Sequence, residues 1–317
     1  MSYAMLFPGQ GSQAVGMLSG HSDPVVRATF DEASQALGWD LAKLVAEGPA
    51  EALNQTARTQ PALLAAGIAV WRLWQAQNLP APVALAGHSL GEYSALVAAG
   101  SLDFAEALKL VELRGQLMQA AVPEGVGGMA AVVGLDDAAV EAFCAEYAAS
   151  RAASGAGEGV LEPANYNAPG QVVVAGNVPA LEWLEREGKG KGARMIVRLP
   201  MSVPSHCSLL RGAADKLAER LAQIRVNAPA IPVRHNLDGG TRGDAEGIRT
   251  ALREQLYRPV RWVATIAGLK NEGVATFAEC GPGKVLAGLN KRIAKDVVSY
   301  ALEDAEGFDK AVAAVKA

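Results

Sequence analysis

The pentapeptide Gly87-His88-Ser89-Leu90-Gly91 follows a short apolar run at 83–87 and precedes a helical pattern. Glycines at its ends permit the sharp strand-to-helix turn of a nucleophile elbow, which exposes a serine hydroxyl. The chemistry open to such a serine is attack on a carbonyl carbon, leaving an acyl group on the chain for a second nucleophile to remove. A bare Gly-x-Ser-x-Gly match is common by chance, so its strand and helix flanks carry the inference. A hydroxyl is a weak nucleophile near neutral pH and needs a base, for which the chain offers four histidines. His88 adjoins Ser89, so its side chain should point elsewhere and serve packing or elbow hydrogen bonding. His21 lies in a polar stretch and reads as a surface residue. His235 sits in mid-strand, where a satisfied structural histidine is the commoner case. His206, in Val203-Pro204-Ser205-His206-Cys207, falls in a loop before a helix, and a helix N-terminus disfavours the imidazolium and preserves a proton acceptor. Position alone leaves His206 undecided between base and bystander.

Two further glycine-bearing loops fit no phosphate motif. Gly9-Gln10-Gly11 lacks the third glycine of a dinucleotide fingerprint, and Gly281-Pro282-Gly283-Lys284 lacks the spacing and the Ser/Thr of a phosphate loop. Cys144, Cys207 and Cys280 are 63 and 73 residues apart, which argues against a disulfide framework or a zinc site and for structural thiols. No metal site is expected. A formal charge of −4, with no block of consecutive Lys or Arg, gives no global nucleic-acid footprint. The longest apolar run, 61–71, stops at Arg72 and is too short to span a bilayer. The first residues lack a basic n-region and run into Pro8-Gly9, so no secretory signal is read and a cytoplasmic location is expected.

The elements that must hold these residues follow an α/β pattern. Half of the 317 residues are apolar, enough for a sizeable core. Strands at 4–7 and 83–87 each end in a loop that leads into helix, the texture of a parallel sheet whose sites form beyond the strand carboxyl ends. Helices are predicted at 60–77, with Pro61 in the first turn, and at 104–121, capped by Asp103 with Glu106 three residues on; Phe104, Leu108, Val111 and Leu117 form its buried stripe. From Gly127 the order becomes strand 129–133, helix 138–148, strand 160–163, strand 171–175, helix 179–187, strand 194–199. This β-α-β-β-α-β order is that of a ferredoxin-like unit. The loop 152–159, rich in Ala and Gly, is expected to be mobile. After Leu199 an amphipathic helix (Leu210, Ala213, Leu217, Leu221, Ile224) and strands near 231–237 and 276–279 return to the first pattern. The expected fold is therefore an α/β-hydrolase-like large domain with a parallel sheet, residues 1–126 and 200–317, carrying an inserted ferredoxin-like α+β small domain, residues 127–199.

Several motifs occur in order along nearly the whole chain. They are Phe7-Pro8-Gly9-Gln10-Gly11-Ser12, Thr59-Gln60-Pro61-Ala62, Gly87-His88-Ser89-Leu90-Gly91-Glu92-Tyr93, Leu113-Arg114-Gly115, Ala164-Asn165-Tyr166-Asn167-Ala168-Pro169-Gly170-Gln171, Pro204-Ser205-His206-Cys207, Gln255-Leu256-Tyr257-Arg258-Pro259-Val260 and Gly281-Pro282-Gly283-Lys284. Together they resemble the malonyl-CoA:acyl carrier protein transacylases, the acyltransferase family of type II fatty acid synthesis.

That resemblance implies Ser89 as nucleophile and His206 as base, with the backbone N–H groups of Gln10 and Leu90 as an oxyanion hole. It makes the Gln255 carbonyl the orienter of the base, so no third catalytic acid is required and Glu254 and Asp238 become solvated or structural. Arg114 would grip the malonyl carboxylate with its planar fork. Gln60, Asn165, Asn167 and Gln171 would support the pocket, and 281–284 would be a turn bordering it. The implied reaction is ping-pong, without a metal or resident cofactor, since malonyl-CoA is a substrate and phosphopantetheine is carried by the partner. That partner is an acidic acyl carrier protein, for which Lys189, Lys191, Arg194 and Arg198, or Lys284, Lys291 and Arg292, are candidate docking patches. No nucleic-acid or membrane partner is implied, and a monomer is expected. The stretch near Ser154 and the sequence around His235 look particular to this chain and remote from the mechanism. Two rivals are a serine hydrolase, which passes the acyl group to water, and a non-catalytic carrier-docking subunit.

Overall fold

The computed structural model describes residues 2–153, 159–201 and 203–316. Five strands form a wholly parallel sheet in the order β7-β2-β1-β8-β9: β1 (Tyr3–Phe7), β2 (Ala84–Gly87), β7 (Val233–Arg234), β8 (Thr276–Glu279) and β9 (Val298–Ala301). Every residue of β1, β2 and β8 is buried, as expected of strands covered by helices on both faces. Phe7 pairs with Gly87 and Leu6 with Glu279, so three strands end level at one edge. The loops that follow them, each singled out by its glycines, are thereby gathered at the carboxyl edge of the sheet.

Among the described residues four further strands form a separate antiparallel sheet in the order β4-β5-β3-β6: β3 (Gly127–Val133), β4 (Leu161–Ala168), β5 (Gln171–Asn177) and β6 (Met195–Arg198). With helices Asp137–Ala153 and Val178–Glu187 they follow the predicted β-α-β-β-α-β order. One face carries a core that includes Val132, Phe143, Val172, Val174 and Leu184. The other joins Met129, Ala164, Val173 and Ala175 to Cys207 of the returning chain. Asn165 also bridges Val260, with Tyr166 N bonded to Val260 O at 2.9 Å and Val260 N to Ala164 O at 2.9 Å. The small sheet is thus sutured to the segment beside the predicted site.

Helix Phe104–Ala121 has the predicted bounds, and Asp103 Oδ1 accepts from Glu106 N at 3.0 Å. Leu117 is only half-buried there, and Met118 takes the inward position. The helix predicted at 60–77 is Thr56–Gln75, with Pro61 inside it rather than in its first turn. Its start carries no capping signal because Gln55 makes no side-chain cap bond; Gln119 Oε1 instead accepts from Ala57 N at 3.0 Å. The strand expected near 231–237 shrinks to Val233–Arg234, because His235 and Gly239–Gly240 close a turn through His235 N to Gly240 O and Gly239 N to His235 O, both 2.9 Å. His235 therefore lies in a turn, not in mid-strand. His21 is also not a free surface residue: it is half-buried, with Nε2 2.9 Å from Leu302 O and its ring edge-on to Phe308. Of the loop expected to be mobile, residues 154–158 lie outside the described residues, while 152–153 continue helix Asp137–Ala153. Among the described residues no helix is long and apolar enough to cross a membrane.

Candidate active site

Ser89 sits between β2 and helix Gly91–Ala98 with φ of 51°, a left-handed conformation that costs a non-glycine residue roughly 1–2 kcal/mol. Such strain persists only where the surroundings over-determine it. Asn236 straddles the turn: its Oδ1 accepts from Ser89 N at 2.7 Å and its Nδ2 donates to Gly87 O at 2.6 Å. Gln255 Nε2 donates to Ser89 O at 2.9 Å. The glycines are required by crowding. A Cβ on Gly91 would stand 2.0 Å from Phe7 O, and one on Gly9 would stand 2.4 Å from His88 O. The elbow and the loop after β1 thus pack main chain against main chain.

Ser89 Oγ lies 2.7 Å from His206 Nε2, and His206 Nδ1 lies 2.7 Å from Gln255 O. A carbonyl can only accept, so Nδ1 carries the proton and Nε2 is left as the acceptor for the serine hydroxyl. Burial, and secondarily the Arg114 charge, lowers the His206 pKa from 6.5 to about 3, which keeps the ring neutral. The helix N-terminus expected to do this is less direct: a short 3-10 turn, Ser208–Leu210, intervenes before helix Arg211–Gln223.

Arg114 projects from helix Phe104–Ala121 and is 1 % exposed. Its Nη1 donates to Gln60 Oε1 at 2.9 Å, and its Nη2 to Gln255 Oε1 at 2.9 Å and to Ser89 Oγ at 3.3 Å. Burial holds its pKa below the ordinary arginine value. Beneath it the Tyr93 ring lies 5.4 Å from the guanidinium carbon. Glu92, fully buried, binds His235 Nδ1 at 2.7 Å through Oε1 and accepts from Asn236 N and Gln255 Nε2, each at 2.9 Å, through Oε2. His235 is therefore a structural partner of Glu92 through Nδ1, although it lies in a turn and not in the strand on which that expectation rested. Its surroundings are not remote from the site, however, because the next residue straps the elbow.

These groups open on a cavity of about 130 Å³ whose lining includes Gln10, Ser89, Leu90, Arg114, Asn165, Asn167 and His206. Met118, Met129, Val173, Leu199, Met201, Leu286 and Leu289 give it apolar walls from both sheets' layers. Among the described residues neither Gln10 N nor Leu90 N has a backbone acceptor. Asn167 Oδ1 lies 2.8 Å from His88 Nε2, so His88 turns away from Ser89, and burial lowers its pKa. Gln60 stands behind Arg114 rather than in the lining. Gln171 departs from expectation: it lies outside this lining and bonds Arg292 instead. Val285, Leu286 and Leu289 of helix Val285–Ile293 line the cavity, so the turn 281–284 borders it. Glu254 pairs with Arg258 and Asp238 with Arg242, both away from His206. The three cysteines are buried and free, and burial raises the pKa of each. Among the described residues no cluster of three metal-ligating side chains occurs.

Sequence reasoning missed three contributors. Asn236 gave no signal, since nothing local marks an asparagine that acts on a turn 147 residues away. Glu92 could have been noticed as an acid placed directly after the elbow, on a helix whose first turn is buried. Gln255 was expected to act through its carbonyl, and its side chain also bonds Arg114, Glu92 and Ser89.

Residues 4–306 match the acyl transferase domain family. The malonyl CoA-acyl carrier protein transacylase of Salmonella typhimurium is 50 % identical over 312 residues, 98 % of each chain. That of Bacillus subtilis is 40 % identical, covering 99 % of this chain and 97 % of the relative. The crystal structure of an acyl carrier protein S-malonyltransferase from Vibrio cholerae is 52 % identical with a TM-score of 0.93, covering 98 % of this chain and 99 % of that one. A malonyl-transacylase solved in complex with its type II PKS acyl-carrier protein is 48 % identical with a TM-score of 0.95, covering 99 % of this chain and 100 % of that one. With its motifs in order from end to end and its fold superposable over nearly every residue, this chain belongs to the acyl transferase domain family, within the malonyl CoA-acyl carrier protein transacylases.

Proposed function

We propose that the chain transfers a malonyl group from malonyl-CoA to the phosphopantetheine thiol of an acyl carrier protein by way of a malonyl ester on Ser89. One observation carries the reading: Ser89 Oγ is 2.7 Å from a proton-accepting His206 Nε2 and 3.3 Å from the Arg114 Nη2 donor. The malonyl carboxylate is one methylene from the reacting carbonyl, so an arginine beside the nucleophile suits that acid. Acetyl has nothing to offer it.

In the first half-reaction His206 takes the hydroxyl proton as Ser89 Oγ bonds to the thioester carbon. The oxyanion accepts from Gln10 N and Leu90 N, donors worth roughly 3 to 4 kcal/mol each in such sites. Collapse breaks the carbon–sulfur bond, and His206 returns its proton to the departing CoA thiolate. In the second half the carrier thiol gives its proton to His206 and attacks the ester, and Ser89 recovers the proton on leaving. Every step uses the chain's own residues and its two substrates.

The carrier is an acyl carrier protein of fatty acid synthesis, and we dock it on Lys284, Lys291 and Arg292. These exposed cations flank or lie on helix Val285–Ile293, whose buried side lines the cavity. In the alternative patch Lys191 and Arg198 are committed to Glu146 and Glu185. A single chain supplies every residue invoked, which favours a monomer. The separate sheets and cores favour the division into units 1–126 with 200–317, and 127–199.

Intact-mass measurement after brief exposure to malonyl-CoA tests the reading. A malonyl adduct should form, map to Ser89, vanish in Ser89→Ala and discharge far faster onto carrier protein than into water. An adduct that survives the substitution refutes the nucleophile; equal discharge in water makes the chain a hydrolase.

A further inference from the structure

Two opposite charges lie buried on either side of the Gln255 amide. Its Oε1 accepts from Arg114 Nη2, while its Nε2 donates to Glu92 Oε2, each bond 2.9 Å. The orientation is dictated by chemistry, since a carboxylate only accepts and a guanidinium only donates, so the amide can stand only one way between them. Gln60 Oε1 repeats the pattern on Nη1. Among the described residues, then, the hydrogen-bond acceptors of Arg114 are two amide oxygens and one hydroxyl, all neutral, although a buried carboxylate stands one amide away.

A buried arginine and a buried glutamate this close gain most by direct pairing, because their attraction is strong where water is excluded. Paired so, Arg114 would be spent on the protein itself. We propose that the Gln255 side chain is an insulating spacer, which keeps Arg114 from being captured by Glu92 and leaves the guanidinium available to a substrate carboxylate. An amide holds the guanidinium without neutralising it, and Glu92 still offsets the buried charge through the polarised amide. The inference rests on reading Arg114 as the malonyl partner. Gln255 acts as a positioning residue through its side chain, separately from the carbonyl that orients His206.

The test compares kcat/KM for malonyl-CoA and acetyl-CoA transfer to carrier protein. Gln255→Met fills the same space without polar atoms, and Gln255→Ala opens it; either lets Arg114 close on Glu92. The malonyl-to-acetyl ratio should fall roughly tenfold or more, as expected for contacting residues that share a network. The lost bond to Ser89 O affects both substrates and cancels in the ratio. Adding Glu92→Gln to Gln255→Met removes the competing carboxylate and should restore the ratio. Glu92→Gln keeps an acceptor for Asn236 N and presents an amide N–H that His235 Nδ1 accepts in its other tautomer. This moves the proton to the buried His235 Nε2, which has no partner among the described residues, an effect common to both substrates that leaves the ratio to report the charge. Gln255→Glu puts a carboxylate on Arg114 once Glu92, left without the Gln255 donor, takes up a proton and donates it across; it should lower the ratio too and serves where the apolar variants do not fold. Arg114→Ala separates the two failures. If it leaves the ratio unchanged, the malonyl reading is wrong. If it lowers the ratio while the Gln255 variants do not, or while Glu92→Gln fails to rescue, the spacer is refuted and Gln255 is merely structural.

Discussion

Replacing Asn236 with alanine strips the elbow of its strap. Asn236 is 2 % exposed, so Ser89 N and Gly87 O would lose partners at 2.7 and 2.6 Å with little water to replace them. Each unpaired buried group costs about 1–3 kcal/mol, hence about 2–6 kcal/mol for the pair, with the lower end set by any water entering the vacated space. The melting temperature should drop on the order of 3 to 9 °C, as the unfolding entropy of a 317-residue chain requires. Ser89 would also be freer to leave its φ of 51°, and Leu90 N moves with it. Misaiming that donor removes part of the roughly 3 to 4 kcal/mol ascribed to an oxyanion contact, so transfer should slow by about 10- to 100-fold. Thermal melting followed by circular dichroism and the initial rate of malonyl transfer measure the two effects. If Asn236→Ala melts within a degree or two of the unaltered chain and transfers at full speed, the glycine crowding alone holds the turn and the strap argument fails.

Arg114→Ala should lower malonyl transfer by roughly two to three orders of magnitude, because a substrate carboxylate left unpaired in a buried site costs about 3 to 5 kcal/mol. Acetyl transfer should hold or improve, and parallel loss of both activities in the rate assay would assign Arg114 to the fold instead. The depressed pKa of His206 makes a further claim, about acid. The unfolded chain takes up a proton near 6.5 and the folded chain only near 3, so folding stability should fall as pH drops through that window, by up to about 1.4 kcal/mol per unit, with no contribution above it. His88, also lowered by burial, adds in the same direction. Denaturant melts between pH 7 and 4 should show a shallower slope in His206→Gln, and an unchanged slope would contradict the burial argument.

The elements that carry their own punctuation were legible. Phe104–Ala121 announced itself through Asp103 and Glu106, and the strands at 4–7 and 276–279 through apolar runs ended by glycine. The elbow, His206 and the bond from His206 to the Gln255 carbonyl were reachable from local patterns and family likeness together. What escaped is long-range and polar. Gln255 was read for its main chain because nothing local tells that its amide will meet Arg114 and Glu92 from helices 141 and 163 residues away. Gln171 differs the opposite way: a motif residue spends its side-chain amide oxygen on Arg292, outside the cavity lining. The short β7 was legible but overlooked: Asp238-Gly239-Gly240 marks the turn at 235–240, where Gly239 has φ of 72° and Asp238 Oδ1 accepts from Gly240 N at 2.8 Å.

The bare contact between Gly91 and Phe7 O, and that between Gly9 and His88 O, has a consequence for how such a catalyst can diversify. Gln10 and Leu90 sit on segments spaced by main-chain radii, so the gap between their amides is set by the backbone and by the Asn236 strap rather than by the side chains that line the cavity. The walls, by contrast, are side chains of Met118, Met129, Val173, Leu199 and Met201, contributed largely from the small sheet and its borders. Acyl scope can therefore change through the exchangeable walls while the two glycine contacts go on holding the elbow against the loop after β1.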